Sequence, residues 1–149
     1  ALDRITGAVK NSYGFVYGFH KAKGHTQYPS ADSFARMLID LNKCVAPKLY
    51  VMDGIVAMEG NGPGSGDPVP MNVMLMSTDP VALDKACADM VIQAPILHGN
   101  NCLATAHEHD DLCGCDKVHL MHPDTDWLAR LRHAEKIGLG TMEYELVKI

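Results

Sequence analysis

Apolar residues recur at three- to four-residue spacing in two central stretches of the chain, which is the period of an amphipathic α-helix. Ser30 can cap the first of these helices, which runs to about Val45 and is followed by Pro47. Asp79 is placed to cap the second, from about Pro80 to Gln93, because proline suits the first turn of a helix. The pattern therefore predicts two central amphipathic helices.

Two apolar runs lie between these helices and are typical of strands. Leu49 to Met58 is rich in Val, Ile and Met and predicts a buried strand, and Val73 to Met76 predicts a second, shorter one. The glycines and prolines that follow Glu59 permit sharp turns and remove backbone donors. We therefore expect the first strand to end at Glu59 and a loop to follow it.

The two ends of the chain have weaker patterns. Thr6 to Phe19 predicts a loop and a broken helix, because glycines interrupt the segment. Asp124 or Thr125 can cap a last helix that ends at Gly138. After it, Glu143 to Ile149 alternates like an edge or terminal strand.

Apolar strands that alternate with amphipathic helices predict an α/β fold, a layered sheet with flanking helices. The loop after the first strand then lies where open α/β sheets usually bind ligands. We expect a single domain over residues 1–149 with an irregular, His- and Cys-rich insertion at about 95–123. A start at Ala1 without Met indicates a fragment of a longer protein.

Composition and charge argue against some classes of binding partner. A formal net charge of −5, with no run of Lys and Arg, argues against nucleic acid. No apolar stretch approaches the roughly 18 residues of a membrane-spanning helix, so no membrane partner is expected. The 5 cysteines are an odd number in a chain that can form its own core, which favours reduced thiols and a cytoplasmic setting. Cys44 and Cys87 are interpreted as core residues.

The glycine-rich segment from Met52 to Pro68 is the first candidate site. It carries Asp53, Glu59 and Asp67 among several glycines, with Asn61 between them. A phosphate-binding loop is the weaker interpretation, because the Lys-Ser or Lys-Thr of such loops is missing. The carboxylates suit a cation or a hydroxyl-bearing ligand better, and the alternative is a solvated surface loop.

The insertion carries the second candidate site, because imidazole and thiolate are ligands for soft transition metals. The candidate ligands are His107, His109, Cys113, Cys115 and His119. They predict zinc, nickel or iron, although no Cys-x2-Cys pair or iron–sulfur run is present. A solvated polar segment with incidental thiols is the alternative.

Three motifs together resemble the family catalogued as domain of unknown function 362. They are TGAVKN at Thr6–Asn11, DGIVAMEGNGPGSGDP from Asp53, and STDPVALD at Ser77–Asp84, and AEKIGLG at Ala134–Gly140 is similar to that family's C-terminal helix and turn. The resemblance implies an iron–sulfur-associated protein that works beside a ferredoxin-type domain or protein. The motifs for an iron–sulfur cluster are absent from this sequence.

Three functional hypotheses follow, and whether the chain is an enzyme stays open. The first is a ligand- or cofactor-binding domain of a redox-associated protein, in which a small polar ligand is surrounded by Lys10, Asn11, Asp53, Glu59, Asn61 and Asp67. The second is a racemase-like or transferase-like enzyme that uses Lys10 and His25, since lysine can form adducts and histidine can transfer protons near neutral pH. The third is a metal-binding role for the insertion.

Overall fold

Six α-helices and one two-stranded sheet make up the part of the chain that the computed structural model describes, residues 5–61, 65–94, 116–121 and 126–149. The elements in chain order are α1 Ala8–Asn11, a 3₁₀ helix Ser12–Phe15, α2 Gly18–Gln27, α3 Ala31–Val45, β1 Tyr50–Asn61, β2 Ser65–Ser77, α4 Pro80–Gln93, α5 Lys117–Met121 and α6 Ala129–Lys136. The predicted α/β class is confirmed, and so is the pair of central strands.

Both central helices begin where their capping residues predict. Ser30 Oγ accepts a hydrogen bond from the Ser33 amide at 3.1 Å, and Asp79 Oδ1 accepts from the Val81 amide at 2.8 Å. Helix α3 ends at Val45, because the φ of 46° at the next residue, Ala46, is left-handed and incompatible with further helix. The predicted spans of α3 and α4 are therefore confirmed.

The two strands form one antiparallel hairpin, with a register from Tyr50 opposite Ser77 to Asn61 opposite Ser65. Two expectations were therefore wrong. The first strand does not end at Glu59, and the strands do not form the open sheet whose strand ends usually bind ligands. Proline is tolerated in β2 because each strand of a two-stranded sheet is an edge, where a missing amide donor can face outward.

The core lies between the helices, and the hairpin covers one side of it. Its main cluster consists of Val9, Tyr13, Phe34, Leu38, Ile39, Val81, Ala88, Val118, Trp127, Leu131 and Ala134. At the base of the hairpin, the Tyr50 hydroxyl donates to Asn42 Oδ1 at 2.9 Å, and Asn42 Nδ2 donates to Ser12 Oγ at 2.8 Å. These buried bonds hold β1 against α3.

The C-terminal segment differs from its prediction. Residues 143–149 form no strand and pair with neither strand of the hairpin. Tyr144 contacts α4 through its side chain instead, with its hydroxyl donating to Asp89 Oδ2 at 2.8 Å. Helix α6 begins at Ala129, and the caps predicted at Asp124 or Thr125 lie outside the described residues.

The two described cysteines have different surroundings. Cys44 is exposed, so its prediction as a core residue was wrong. Cys87 is half-buried, and burial raises the pKa of its thiol to about 11, with a smaller contribution from the Asp84 carboxylate. The Cys87 thiol therefore stays protonated and unreactive near neutral pH.

Across the described ranges, no helix has the length and apolar character needed to cross a membrane.

Candidate functional site

Glu59 and Asp67 are the candidate ligand-binding residues that the hairpin brings together. They stand directly opposite each other in the register, at the end of the hairpin nearest residues 62–64. Cross-strand partners have Cβ atoms roughly 5 Å apart, so two carboxylates that are 8 residues apart in sequence become neighbours. We call this end of the hairpin, with Glu59, Asp67 and Lys117, the acidic end.

Glu59 is buried beside a buried lysine. Its exposed fraction is only 3%, and Lys117 is fully buried with its Nζ 3.6 Å from Glu59 Oε2. The same Nζ donates to the carbonyl oxygen of Ala94, just past the C-terminus of α4. A buried ion pair carries a large desolvation cost, and the Lys117 charge offsets that of Glu59 in a place where water cannot.

Sequence reasoning did not find Lys117. Lys117 lies in the tract that was interpreted as an insertion, 58 residues after Glu59, and no motif spacing links the two residues. The fold brings the two together where α5 begins at Lys117. The acidic end therefore carries less net negative charge than its carboxylates alone suggest.

Lys10 and Asn11 lie near the opposite end of the hairpin. Their helix, α1, packs through Ala8 against Tyr50 and Leu83, at the base of β1. Lys10 Nζ donates to Thr6 Oγ1 at 3.0 Å. Asp84, on α4, contacts α1, whereas Ala94, just past the end of α4, contacts Lys117. At about 1.5 Å per residue, Asp84 and Ala94 are about 15 Å apart along the axis of α4. Lys10 and the acidic end therefore do not share one site.

Asp84 is a buried residue of the STDPVALD motif that contacts the TGAVKN motif. Its carboxylate accepts hydrogen bonds from the backbone amides of Ala8 and Val9 at the start of α1, at 2.5 and 3.3 Å. Arg130 Nη2 contacts Asp84 Oδ2 at 3.1 Å, and both side chains are buried. Burial raises the pKa of Asp84, while Arg130 and the two amides act in the opposite direction.

Gly7 explains why the TGAVKN motif begins with small residues. A Cβ at Gly7 would lie 2.2 Å from Asp84 Oδ1, so no larger residue fits there. The backbone at Gly7 therefore closely approaches a carboxylate of its own chain.

The remaining candidates are dispersed. Asp53 lies on the exposed side of β1, where its Oδ1 accepts from the Ile55 amide at 3.0 Å. Asn61 continues β1 beyond Glu59. His25, on α2, stacks on Phe34 with ring centroids 4.9 Å apart and contacts Tyr13 edge-on. None of these contacts places His25 beside Lys10.

A family model described as domain of unknown function 362 (DUF362) matches residues 1–89. The chain belongs to the DUF362 family. This DUF362 chain is also similar to a thylakoid-associated protein of Synechocystis sp., with 41% identity over 88 residues. The similarity covers 58% of this chain and 27% of the relative, so the chain spans about a quarter of that protein's length. No solved structure matches the chain.

The family match divides the residues described above. Glu59 and Asp84 fall within residues 1–89, as does Asp67, whereas Lys117 and Arg130 lie beyond it. The two buried carboxylates of the described residues, Glu59 and Asp84, are thus in the matched part of this DUF362 chain, and each is paired with a cation from the C-terminal part.

A cleft of about 480 Å³ separates α2 from α3. Its walls are largely apolar and include Tyr13, Tyr28 and Met37, with His20 and Arg36 among the polar groups. The cleft is open to solvent on one side, and neither Lys10 nor any residue of the acidic end lines it. It is therefore a separate feature of the DUF362 chain.

The predicted metal ligands fall mostly outside the described residues. These are His107, His109, Cys113 and Cys115, whereas His119 is described and lies exposed on α5. Its backbone amide donates to Asp116 Oδ1 at 3.0 Å. Within the ranges given above, no group of three or more His, Cys, Asp and Glu residues could hold a metal ion. The metal hypothesis for the insertion stays a prediction.

Proposed function

We propose that this DUF362 chain is a binding domain for a small, hydroxyl-bearing polar ligand at the acidic end of its hairpin. The observation that carries the proposal is the register of Glu59 opposite Asp67, which sets two carboxylates side by side where the hairpin ends. Ionised carboxylates accept hydrogen bonds, and bonds to charged groups are worth about 1.5–3 kcal/mol each.

The charge of the site favours hydroxyl groups over a divalent cation. Cations such as Ca²⁺ require several oxygen ligands of net negative charge. Lys117 lies 3.6 Å from Glu59, and its charge repels a second cation there. A neutral ligand with hydroxyl donors can use both carboxylates without displacing Lys117.

The wider setting is proposed from the resemblance and from the relative. A ferredoxin-type domain or protein is the partner that the family resemblance implies, with the ligand then bound near a redox centre supplied by that partner. The thylakoid association of the Synechocystis relative supports a peripheral association with a membrane system as the alternative to a cytoplasmic setting. Fractionation of native cells separates these two locations.

Native mass spectrometry of the purified protein tests the ligand. We expect a retained molecule of oxygen-rich composition by accurate mass. Asp67→Asn should lower the retained fraction at least about tenfold, because Asp67 is exposed and its loss removes an acceptor without disturbing the core. Glu59→Gln should also lower retention, but it should destabilise the fold as well, because it leaves the buried Lys117 without its carboxylate.

Asp53→Asn is the matched control, since it makes the same chemical change on the exposed side of β1. It should leave the retained fraction unchanged. A wild-type protein that carries no molecule, or equal retention in all three variants, contradicts the proposal.

The enzyme hypothesis has less support from the geometry. It requires Lys10 and His25 to act on one substrate, but Lys10 donates to Thr6 beside α1 whereas His25, on α2, stacks on Phe34, and neither contact brings the two side chains together. The metal-binding hypothesis is independent of the acidic end. It predicts near-stoichiometric zinc, nickel or iron in elemental analysis, lost when His107, His109 and Cys113 are changed together, and metal-free protein of unchanged stability would end it.

A further inference from the structure

One face of the hairpin points away from the helices and is apolar. Side chains alternate along a strand, so Tyr50 and Met52 face the core and their neighbours face outward. The outward set is 49–62% exposed and consists of Val51, Ile55, Val56, Met58, Met74 and Met76. We call this set the outer face.

The outer face is large for a monomer. Six side chains of this size, each about half exposed, present on the order of 500–600 Å² of apolar surface, the upper end of what isolated soluble proteins show. The helices cover only one side of the hairpin, and the apolar side chains of the other side are exposed. The exposed side therefore indicates an interface.

We propose that the outer face is the dimer interface between two copies of this chain, packed face to face across a two-fold axis. Two such faces would bury roughly 1,000–1,200 Å² together, before the polar rim is counted, which reaches the size of a specific interface. Two-fold dimers are the commonest assemblies, because one self-complementary patch serves both partners. Two sheet faces stack about 10 Å apart with their strands nearly aligned.

The polar residues of the face fit this symmetry. Asp53 lies opposite Met74, and the next level along the hairpin is the bulge that contains Asn72, whose φ is 54°. A two-fold axis that runs across the strands between these levels places the two Asp53 residues of the dimer on opposite sides of the axis, so their charges are kept apart.

A lipid surface fits the face less well. Membrane-surface elements combine apolar groups with Lys, Arg or Trp at the rim, and the outer face consists of aliphatic side chains and Met with Asp53 among them. The net charge of −5 also repels anionic lipid headgroups. We therefore assign the face to a second copy.

Sedimentation equilibrium or light scattering of the full 149-residue chain tests the assignment. The wild-type protein should have twice the chain mass at tens of micromolar. Met74→Lys places a charge at the centre of the buried face and should weaken dimerisation by more than about 100-fold, and Val51→Lys should do the same from the other strand. Both residues are more than half exposed, so circular dichroism should show the fold unchanged.

Phe19→Lys is the matched control, because Phe19 is 77% exposed but lies on α2. It should leave the dimer intact, and Asp53→Asn should leave it intact or strengthen it. A monomeric wild-type protein overturns the proposal, and so does a dimer that survives both hairpin variants. Monomers that bind neutral phosphatidylcholine vesicles, with binding lost in Met74→Lys, overturn it in favour of a lipid surface.

Discussion

Asp84 shows how one side chain determines the position of an entire helix. Helix α1 has only four residues and is too short to be stable alone. Its first two backbone amides donate hydrogen bonds to the Asp84 carboxylate. Arg130 balances the charge and donates to the Ile5 carbonyl at 3.1 Å, so the same pair also fixes the chain before α1. The TGAVKN and STDPVALD motifs are therefore in direct contact in the folded chain.

Asp84→Ala should lower the free energy of unfolding by about 3–5 kcal/mol, because it leaves the buried Arg130 charge without its carboxylate. Urea denaturation measures this. Asp32→Ala removes the exposed ion pair with Arg36 and should cost less than about 1 kcal/mol. Equal costs for the two variants would show that the Asp84 pair is no more important than a surface pair.

The sequence is informative about single residues where the reason is local. Ser30 and Asp79 were predicted as caps because capping depends only on the next three residues. The roles of Lys117 and Gly7 were not predictable, since each is set by a residue more than 50 positions away. Exposed Cys44 was misjudged for a related reason, because helical spacing does not tell which neighbours cover a face.

Asp79 connects two elements. Its Oδ1 caps α4, while its Oδ2 accepts from the Thr141 amide at 2.9 Å. Gly140 lies so close that a Cβ there would be 2.0 Å from Asp79 Oδ1. The start of α4 and the segment after α6 are therefore held by one carboxylate.

Asp79→Ala should lower the free energy of unfolding by roughly 2 kcal/mol, about half from the lost cap and half from the bond to Thr141. It should also speed hydrogen exchange at the Thr141 amide. Ser30→Ala, which removes only the α3 cap, should cost about 1 kcal/mol and leave Thr141 unchanged. No change in Thr141 exchange in Asp79→Ala would contradict the connecting role.

For the hairpin, the sequence pattern predicts that two strands exist but not how long they are or how they pair. Two apolar runs predicted two strands, yet their length and direction depend on pairing, which carries β1 to Asn61 and starts β2 at Ser65 despite Pro68 and Pro70. The alternation of residues 143–149 predicted a strand, but these residues pair with neither strand of the hairpin. Strands need partners, and a sequence does not identify them.

The whole molecule is organised around the two sides of its hairpin. The inner side packs on the helices and buries Glu59 with Lys117, whereas the outer face is apolar and exposed. Family membership and the α/β class were predictable, because both rest on local motifs and periodicity. The separation of Lys10 from the acidic end was not, since it depends on how α1 and α4 cross the sheet.

A crystal structure of the protein as purified tests the central proposal most directly. The proposed binding site predicts electron density for a small molecule whose hydroxyl groups lie within hydrogen-bond distance of the Glu59 and Asp67 carboxylates. The Glu59 and Lys117 pair should remain in place beside it. An acidic end filled by the chain's own side chains, with no room for a ligand between the two carboxylates, would contradict the account.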